Sequence, residues 1–491
     1  MKTGKLPTGK LVRLACVGAV LMICGCISVG PDYVRPDGAT PATWHAGLEE
    51  GITDRQSDEE ETAKWWTALG DPMLSDLVGR AVEGNLDIKE AQARLRESRA
   101  RLGISRSGLF PSLDATGLAT KSRGSEETGG GQEREFYSVG FDAAWELDLF
   151  GGVSRSVEAA QADLQAEEEG LRDVLVSLTA EVALNYAELR TAQARLAAVE
   201  KNLQVQEESY RLVRTRVAAG LDDELTELQA RYNLENARSQ LPGLRASINE
   251  AMNRLSILLG ETPGSLQGLL REQMPVPAAP LEIVVCVPAD LLRRRPDIGR
   301  AERELAAQTA RIGVATAELY PKLTLNGSIG LEALSPDKLL RTTSHAYTIG
   351  PRVTWPIFSA GSIRRNIDVQ SALQEQALIQ YESTILNALE EVENALVSYA
   401  EEERRRESLQ EAAQAAREAM DLARTNYIAG LSDYDDVLDA QRMLLSLEEQ
   451  LAQSSGTALT YLIQLYKALG GGWERPGTNA VTINDRSEET L

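Results

Sequence analysis

The chain has 491 residues, enough for several ordinary domains, and a formal net charge of −22 at pH 7. A chain this acidic is poorly suited to bind nucleic acid, which is itself a polyanion, so we expect no nucleic-acid partner. Ala, Leu, Glu, Arg and Gln dominate the composition, and this balance favours long helices.

Residues 1–25 have the features of a secretory signal peptide. Basic residues precede an apolar run from Leu14 to Ile23, and Gly25 and Cys26 follow shortly after this run. A small residue before a cysteine resembles a bacterial lipoprotein box, so we predict that Cys26 is acylated. An ordinary signal peptide cleaved nearby is the alternative. Acyl chains would anchor the mature chain to a membrane without spanning it.

The sequence contains no recognisable catalytic or metal-binding arrangement. The remaining thiol of the mature chain, Cys286, is predicted to be a buried packing residue, because one thiol forms neither a disulfide framework nor a metal site. The two histidines, His45 and His345, lie far apart in the sequence, and no Gly-rich phosphate loop is present. We therefore expect no enzymatic activity, no cofactor and no bound metal.

A unit of about 175 residues occurs twice at a constant spacing. The stretch from Pro296 to Leu323 repeats a stretch that begins 210 residues earlier. The matching pairs include Asp87 with Asp297, Gly103 with Gly313, Pro111 with Pro321, Trp145 with Trp355, and Gly220 with Gly430. Such a constant spacing over many positions indicates an internal duplication.

The first repeat, residues 71–260, follows an N-terminal arm at 26–70. A helix is predicted at about 85–109, where Pro111 ends it, and strands at about 112–121 and 136–149. In the second strand apolar residues alternate with polar ones, which predicts one apolar and one polar face. Helices follow at about 154–217 and 223–259. Apolar residues recur every seventh position in the longer one, as in a coiled coil: Leu175, Val182, Leu189, Leu196 and Leu203.

The second repeat, residues 295–470, follows a Pro-rich linker at 261–294. Its predicted helices lie at about 296–319, 362–428 and 432–469, and its strands at about 322–331 and 346–357. The longest helix again carries a heptad pattern: Leu378, Ile385, Val392 and Tyr399. Residues 471–491 form a polar tail.

These elements predict a mainly helical fold with a small β part. In each repeat the two shorter helices together match the long one in length, so we expect them to lie antiparallel beside it. Strands of about 9 to 11 residues fit a tilted membrane crossing, but four strands are too few to close a barrel. Three chains would supply twelve strands, enough for one barrel with a water-filled lumen above a barrel of helices.

Several motifs resemble the TolC-type outer-membrane efflux channels, in the OprM-like (NodT-type) lipoprotein branch. The residues that carry the resemblance are LLRRRPDI (291–298), IGVATAELYPKL (312–323), WELDLFGG (145–152), WPIF (355–358), NYIAG (426–430) and DDVLDAQR (435–442). The resemblance implies a homotrimer in the outer membrane that extends into the periplasm. It also implies a periplasmic adaptor protein and an inner-membrane transporter of the resistance–nodulation–division (RND) class as partners, and export of drugs, detergents, dyes or metal ions.

The resemblance also suggests functional residues at the turns between the long helices. Asp436 and Asp439 match carboxylates that line the closed periplasmic mouth, and Tyr427 matches a tyrosine that helps to hold it shut. Ordinary acidic residues in the first turns of a helix are the alternative explanation for the two aspartates. The residues expected at the turn tips, where an adaptor would dock, are Gly220, Asp222, Asp223, Gly430 and Ser432.

One feature departs from the family pattern. An arginine often follows the second turn glycine by two residues, but Ser432 occupies this position here. Glu224 and Glu227 are the candidates to substitute for it in the closing network. Two other functions are alternatives: a periplasmic coiled-coil scaffold lipoprotein without a pore, and the outer-membrane duct of a type I protein secretion system. The four strands argue against the first, and the lipoprotein box and Arg-Arg-Pro-Asp motif argue against the second.

Overall fold

The computed structural model describes residues 28–36, 41–46, 52–54, 62–128, 130–278, 283–285, 288–289 and 294–473. The predicted signal peptide, Cys26 and Cys286 lie outside these ranges. The elements in chain order are β1 (Ile52–Asp54), α1 (Pro72–Gly84), α2 (Leu86–Ser107), β2 (Ser112–Arg123), β3 (Glu133–Leu147), α3 (Gly152–Ala218), α4 (Glu224–Leu258), α5 (Gln267–Leu270), β4 (Ile283–Val285), α6 (Pro296–Ala317), β5 (Lys322–Ala333), β6 (His345–Thr354), α7 (Ser362–Ile428) and α8 (Tyr434–Ala468).

The duplication is visible in the element boundaries. α2 and α6, β2 and β5, α3 and α7, and α4 and α8 each begin and end 210 residues apart. Helices make up most of the described chain, and the sheet is small and antiparallel, so the predicted fold class is confirmed. In the described part of the chain, no helix has the combination of length and apolarity that a bilayer crossing requires.

Two compact units are formed, and each draws on both repeats. The first contains Arg94–Glu168 and Arg300–Glu382 together with the N-terminal segment. Its sheet has the order β2-β3-β5-β6, and every neighbouring pair is antiparallel. β2 and β6 are therefore edge strands within one chain.

The strand register separates an apolar face from a polar face. Phe141 pairs with Ile329, which pairs with Tyr347, so these three side chains form one row across the sheet. The next row contains Asp142 and Ser328 and points to the opposite side, because successive side chains alternate across a strand. The apolar row is exposed in the single chain.

The ends of two strands differ from their predicted limits, 136–149 and 346–357, for local reasons. β3 stops at Leu147 because Asp148 caps α3 instead: its carboxylate oxygens accept hydrogen bonds from the Val153 N–H at 3.1 Å and the Ser154 N–H at 2.7 Å. β6 ends at Thr354, before Trp355 and Pro356, and as an edge strand it also contains Pro351, opposite Leu325.

A tryptophan joins each strand pair to the helix before it. The indole Nε1 of Trp145 donates to the Leu109 carbonyl at 3.0 Å, and that of Trp355 donates to the Leu319 carbonyl at 3.0 Å. Both carbonyls lie just past a helix C-terminus, where carbonyl groups lack helical partners. The two repeats thus use the same contact to fix the angle between helix and strand.

The N-terminal arm is held in the first unit by two charged residues. Arg155 donates to the Asp32 carboxylate at 2.6 Å and to the Val29 carbonyl at 3.2 Å. Glu302 accepts from the Tyr33 hydroxyl at 3.2 Å and pairs with Arg35 at 3.1 Å. The arm is therefore ordered against α3 and α6 between residues 28 and 36.

The second unit contains the main apolar core, in which α1, α3, α4, α7 and α8 all take part. Trp65 is buried there and stacks on Tyr466, with ring centroids 5.1 Å apart. α3 and α8 approach very closely: a Cβ on Gly456 would lie 1.9 Å from Thr191 Oγ1. This contact tolerates no larger residue without movement of a helix.

α1 begins at Asp71-Pro72, a pair that the sequence offers as a helix cap with Pro at the first helical position. The end of α1 and one strand pair of the second unit were not predicted. α1 precedes the helix expected at 85–109, and Asn85 separates the two because its Oδ1 accepts from the Asp87 N–H at 2.8 Å and so starts α2. β1 and β4 form a parallel pair, with Ile52 opposite Ile283, so the arm and the Pro-rich linker meet in a two-stranded sheet.

Candidate functional site

The two turns that join α3 to α4 and α7 to α8 have the same geometry. Gly220 and Gly430 adopt φ values of 73° and 74°, which favour glycine. The next residue in each turn donates its N–H back to the helix: Leu221 to the Arg216 carbonyl at 2.9 Å, and Leu431 to the Asn426 carbonyl at 2.9 Å. These turns place both helical hairpins in fixed conformations.

Three side chains link the two hairpins at Asp222. Arg216 Nε donates to Asp222 Oδ2 at 2.8 Å, and the Tyr427 hydroxyl donates to the same oxygen at 2.5 Å. The Arg216 guanidinium also lies over the Tyr427 ring, 4.5 Å from its centroid. Arg216 and Asp222 belong to the first hairpin and Tyr427 to the second, so this network connects the repeats within one chain.

The network has a fixed charge state at neutral pH. The hydrogen bond from Arg216 is the main cause that lowers the pKa of Asp222, and the bond from Tyr427 adds to it. Burial raises the pKa of Tyr427, and its hydrogen bond to Asp222 raises it further. Asp222 is therefore a carboxylate acceptor and Tyr427 a phenol donor.

Tyr427 lies in a small apolar cluster of its own. It is buried together with Val213, Tyr434 and Leu438, and its ring lies 5.3 Å from that of Tyr434. Burial also raises the pKa of Tyr434 to about 12, so this hydroxyl is neutral as well. Packing therefore fixes the ring of Tyr427, and its hydrogen bond to Asp222 is partly buried.

Asp436 and Asp439 do not take part in this network. Both are exposed in the first turns of α8, whereas the intervening Val437 and Leu438 are buried. Asp439 is 80 % exposed and lies 3.7 Å from Arg442, a weak pair. The two carboxylates thus face away from the core of their own chain.

The two turn tips differ in their capping residues. Asp223 caps α4 by accepting hydrogen bonds from the Thr226 N–H at 2.9 Å and the Thr226 hydroxyl at 2.7 Å. Its counterpart Asp433 makes no side-chain cap. Ser432, the counterpart of Asp222, has a buried hydroxyl without a hydrogen-bond partner among the described residues. The first hairpin therefore supplies the carboxylate of the network, and the second hairpin has no carboxylate at the matching position.

The geometry changes two expectations. Asp222, expected at the adaptor-facing tip, directs its carboxylate into the network, and its side chain is only 13 % exposed. The arginine of the network is Arg216, not a residue after the second glycine, and neither Glu224 nor Glu227 is bonded to Tyr427 in the described structure. In the sequence, Arg216 lies six residues before Asp222 across a tight turn, and this spacing could have indicated that the two side chains pair.

The described residues contain no group of His, Cys, Asp and Glu side chains arranged to hold a metal ion. The arrangement at the turns is a set of hydrogen bonds and ion pairs between helical hairpins. Such a set can hold two hairpins together or release them, and it offers no nucleophile or proton relay.

Known proteins are similar to this chain over most of its length. Nodulation protein T of Rhizobium leguminosarum bv. trifolii is 31% identical over 454 residues, covering 92% of this chain and 96% of the relative. The toluene efflux pump outer membrane protein TtgI of Pseudomonas putida is 33% identical over 460 residues, covering 93% and 97%. The solved structure of the outer-membrane channel OprN matches with a TM-score of 0.85 at 35% identity, covering 91% of this chain and 100% of that one.

The sequence profile of one family, described as outer membrane efflux protein, matches residues 77–261 and 287–471. These two matches fall on the two halves that are related by the 210-residue spacing. Together with the shared fold, they show that this chain belongs to the outer membrane efflux protein family.

Proposed function

We propose that this protein is the outer-membrane channel of a tripartite efflux system, a passive exit duct that opens and closes at its helical end. The observation that carries the proposal is the four-stranded sheet, because its two faces differ in polarity and its two edge strands lack partners within the described chain. A membrane sheet needs all its edges paired, and three copies would close a twelve-stranded barrel.

The apolar row of the sheet supports this arrangement. Phe141, Ile329 and Tyr347 would face lipid, and the alternate polar row would line a water-filled lumen. Trp145 and Trp355, at the strand ends nearest the helices, suit the boundary between bilayer and periplasm.

We infer that the helical hairpin tips form the periplasmic gate. The Arg216–Asp222–Tyr427 network would hold the two hairpins of each chain together in a closed state. Asp436 and Asp439 face away from their own chain, so a three-fold axis would bring six carboxylates into a ring that attracts cations.

The same proposal includes the anchor and the partners. Acylation at Cys26 would hold the arm at the membrane, since Val29 donates its N–H to the Phe150 carbonyl at 3.1 Å, close to the base of the sheet. Gly220, Asp223, Gly430 and Ser432 would form the tips that meet a periplasmic adaptor. An inner-membrane RND transporter would supply the energy, because no energy-coupling site is found among the described residues.

The cargo is set by the transporter. One relative belongs to a toluene efflux pump, so small toxic organic compounds are the first class to test. Metal ions are the second class. A scaffold lipoprotein without a pore and a type I secretion duct are the competing functions.

Two measurements test the proposal. Purified lipoprotein in planar bilayers should give discrete cation-preferring conductance steps, which a scaffold would not. Deletion of the gene should raise susceptibility to organic solvents and drugs, and the full-length gene should restore resistance. A protein that conducts no ions and whose loss changes only the secretion of a polypeptide would contradict the proposal.

A further inference from the structure

A cavity opens in the second unit where the Pro-rich linker packs on the first helical hairpin. It has a volume of about 600 Å³, and its walls come from α3, α4, α5 and the residues just after α5. Leu196, Ile248 and Met252 form the apolar part of the wall. A volume of this size is typical of sites for small organic ligands.

The polar part of the wall carries positive charge and amides. Arg245 of α4 and Arg271, just after α5, both line the cavity, and the amides come from Gln193, Asn249, Gln267 and Gln273. No Asp or Glu side chain of the described chain lines it, although the protein has 73 acidic and 51 basic residues. A cleft lined by one sign of charge focuses the field, so this cavity attracts anions.

Both arginines of the wall are available to a ligand. The guanidinium of Arg271 is exposed and makes no hydrogen bond or ion pair in the described part of the chain. Arg245 is 61 % exposed and pairs with Glu200 at 3.3 Å, a contact that stabilises little at an exposed site. Neither arginine bonds across the cavity, so an anion can take both as partners.

A buried arginine adds positive charge behind the wall. Arg190 is 2 % exposed, and its guanidinium donates to the side-chain oxygen of Gln193 at 2.7 Å and to the Glu272 carbonyl at 2.9 Å. Both acceptors are neutral, and the Nε of Arg190 has no partner among the described residues. Because Gln193 lines the cavity, this charge lies close to it, and burial leaves the charge little screened by solvent.

The second repeat does not carry these groups. The residues 210 positions after Arg190, Gln193, Arg245 and Asn249 are Ala400, Glu403, Ser455 and Leu459. The helices themselves have equal lengths in the two repeats, so a hairpin of this kind forms without the basic wall. Arg190 and Gln193 also hold the linker through its carbonyls, but Arg245 makes no such bond in the described structure.

We propose that this cavity binds an organic anion that has one acidic head group and an apolar chain. The head group lies between Arg245 and Arg271, which donate charge-assisted hydrogen bonds, and the chain lies against Leu196, Ile248 and Met252. The site is distinct from the helical turns of the proposed gate, so the inference goes beyond the proposed function.

Calorimetric titration of the full-length protein in lipid nanodiscs tests the site. The probes are octanoate and octyl sulfate, and the heat from empty nanodiscs is subtracted. We expect saturable binding of both probes that weakens as salt is added, because salt screens exposed charges. Octanol, which has no charge, and octylammonium, which has the opposite charge, should bind at least about tenfold more weakly.

Two variants remove the charge or the space. Arg245→Gln with Arg271→Gln should weaken octanoate binding about tenfold or more. Gly268→Trp should block binding without removing a charge, since Gly268 lines the cavity and a Cβ built on it meets no atom within 4 Å.

Arg238→Gln with Arg254→Gln is the matched control. Both residues are exposed on α4 outside the cavity, and the net charge changes by the same amount. This chain should bind octanoate like the wild type. Equal weakening in the control would show a general effect of charge and contradict the site.

Three other results would overturn the proposal: no binding to the wild type, equal binding of octanol, or full binding to the chain with Arg245→Gln and Arg271→Gln. Conductance in planar bilayers, recorded on the same preparations, tests the proposed channel independently. A conducting protein that binds no octanoate would refute the anion site alone, and a protein that binds octanoate but conducts no ions would refute the channel alone.

Discussion

Replacing Tyr427 by Phe removes one hydroxyl from the contact between the hairpins and keeps the buried ring. That hydroxyl donates to the Asp222 carboxylate at 2.5 Å. A hydrogen bond to a charged group contributes about 1.5 to 3 kcal/mol. Because about 1.4 kcal/mol is a tenfold change in an equilibrium constant, we expect Tyr427→Phe to raise the ratio of open to closed gate about 10- to 150-fold in each chain.

The assay is the open probability of single channels in planar bilayers at neutral pH. Tyr210→Phe is the matched control, since Tyr210 packs on the same cluster and its hydroxyl donates to Glu227 of its own hairpin at 3.4 Å, not to Asp222. We expect the control to gate like the wild type. Asp222→Asn should act in the same direction as Tyr427→Phe, and the two changes together should add little, because both break one network.

Unchanged gating in Tyr427→Phe, with normal assembly and melting temperature, would refute the reasoning. An equal rise in open probability in Tyr210→Phe would do so too, because the effect would then come from packing in the cluster and not from the hydrogen bond to Asp222.

The site and the core support three further predictions. Changing Asp436 and Asp439 together to Ala should lower cation preference and raise conductance, measured by reversal potentials and single-channel steps. Unchanged values would contradict the proposed carboxylate ring. The pKa of Asp222 is lowered in the folded protein, so its network is intact above the usual Asp pKa and is lost as the pH falls through the lowered value. The open probability of the channel should therefore rise only in strong acid, and Asp222→Asn should abolish that rise. Gly456→Ala should lower the melting temperature by forcing α8 from α3, a cost of about 1 to 3 kcal/mol, whereas Gly243→Ala, where a Cβ meets nothing within 4 Å, should stabilise α4 by about 0.5 to 1 kcal/mol.

Much of the fold could be predicted because its signals are local. Pro111 and Pro321 stop helices, Gly220 and Gly430 make turns, and the alternation in β3 assigns its two faces. Each of these acts within a few residues, so periodicity and spacing reveal them. The constant spacing of the repeats then places the same elements in the second half.

The candidate site was harder to predict from the sequence, because its contacts join residues that lie far apart in the chain. Tyr427 was predicted to matter, but its acceptor Asp222 is 205 residues away, and no local pattern links them. Arg216 was missed because it belongs to the end of a long helix, where an arginine has many ordinary roles. The pairing of β1 with β4 was also missed, because each strand has only three residues and the two lie far apart in the sequence.

The identical element boundaries in the two halves have an evolutionary consequence. A gene for one half would have encoded the helices α2, α3 and α4 and one strand pair, and the proposed trimer would use this unit six times. Doubling that gene let the copies diverge, and two of the differences concern the first half: its Arg155 binds Asp32 of the N-terminal arm, and it carries the aspartate that accepts from Tyr427. In the proposed trimer, fusion would turn six equal contacts between halves into two kinds, and both the arm and the Tyr427–Asp222 bond belong to the kind found within one chain.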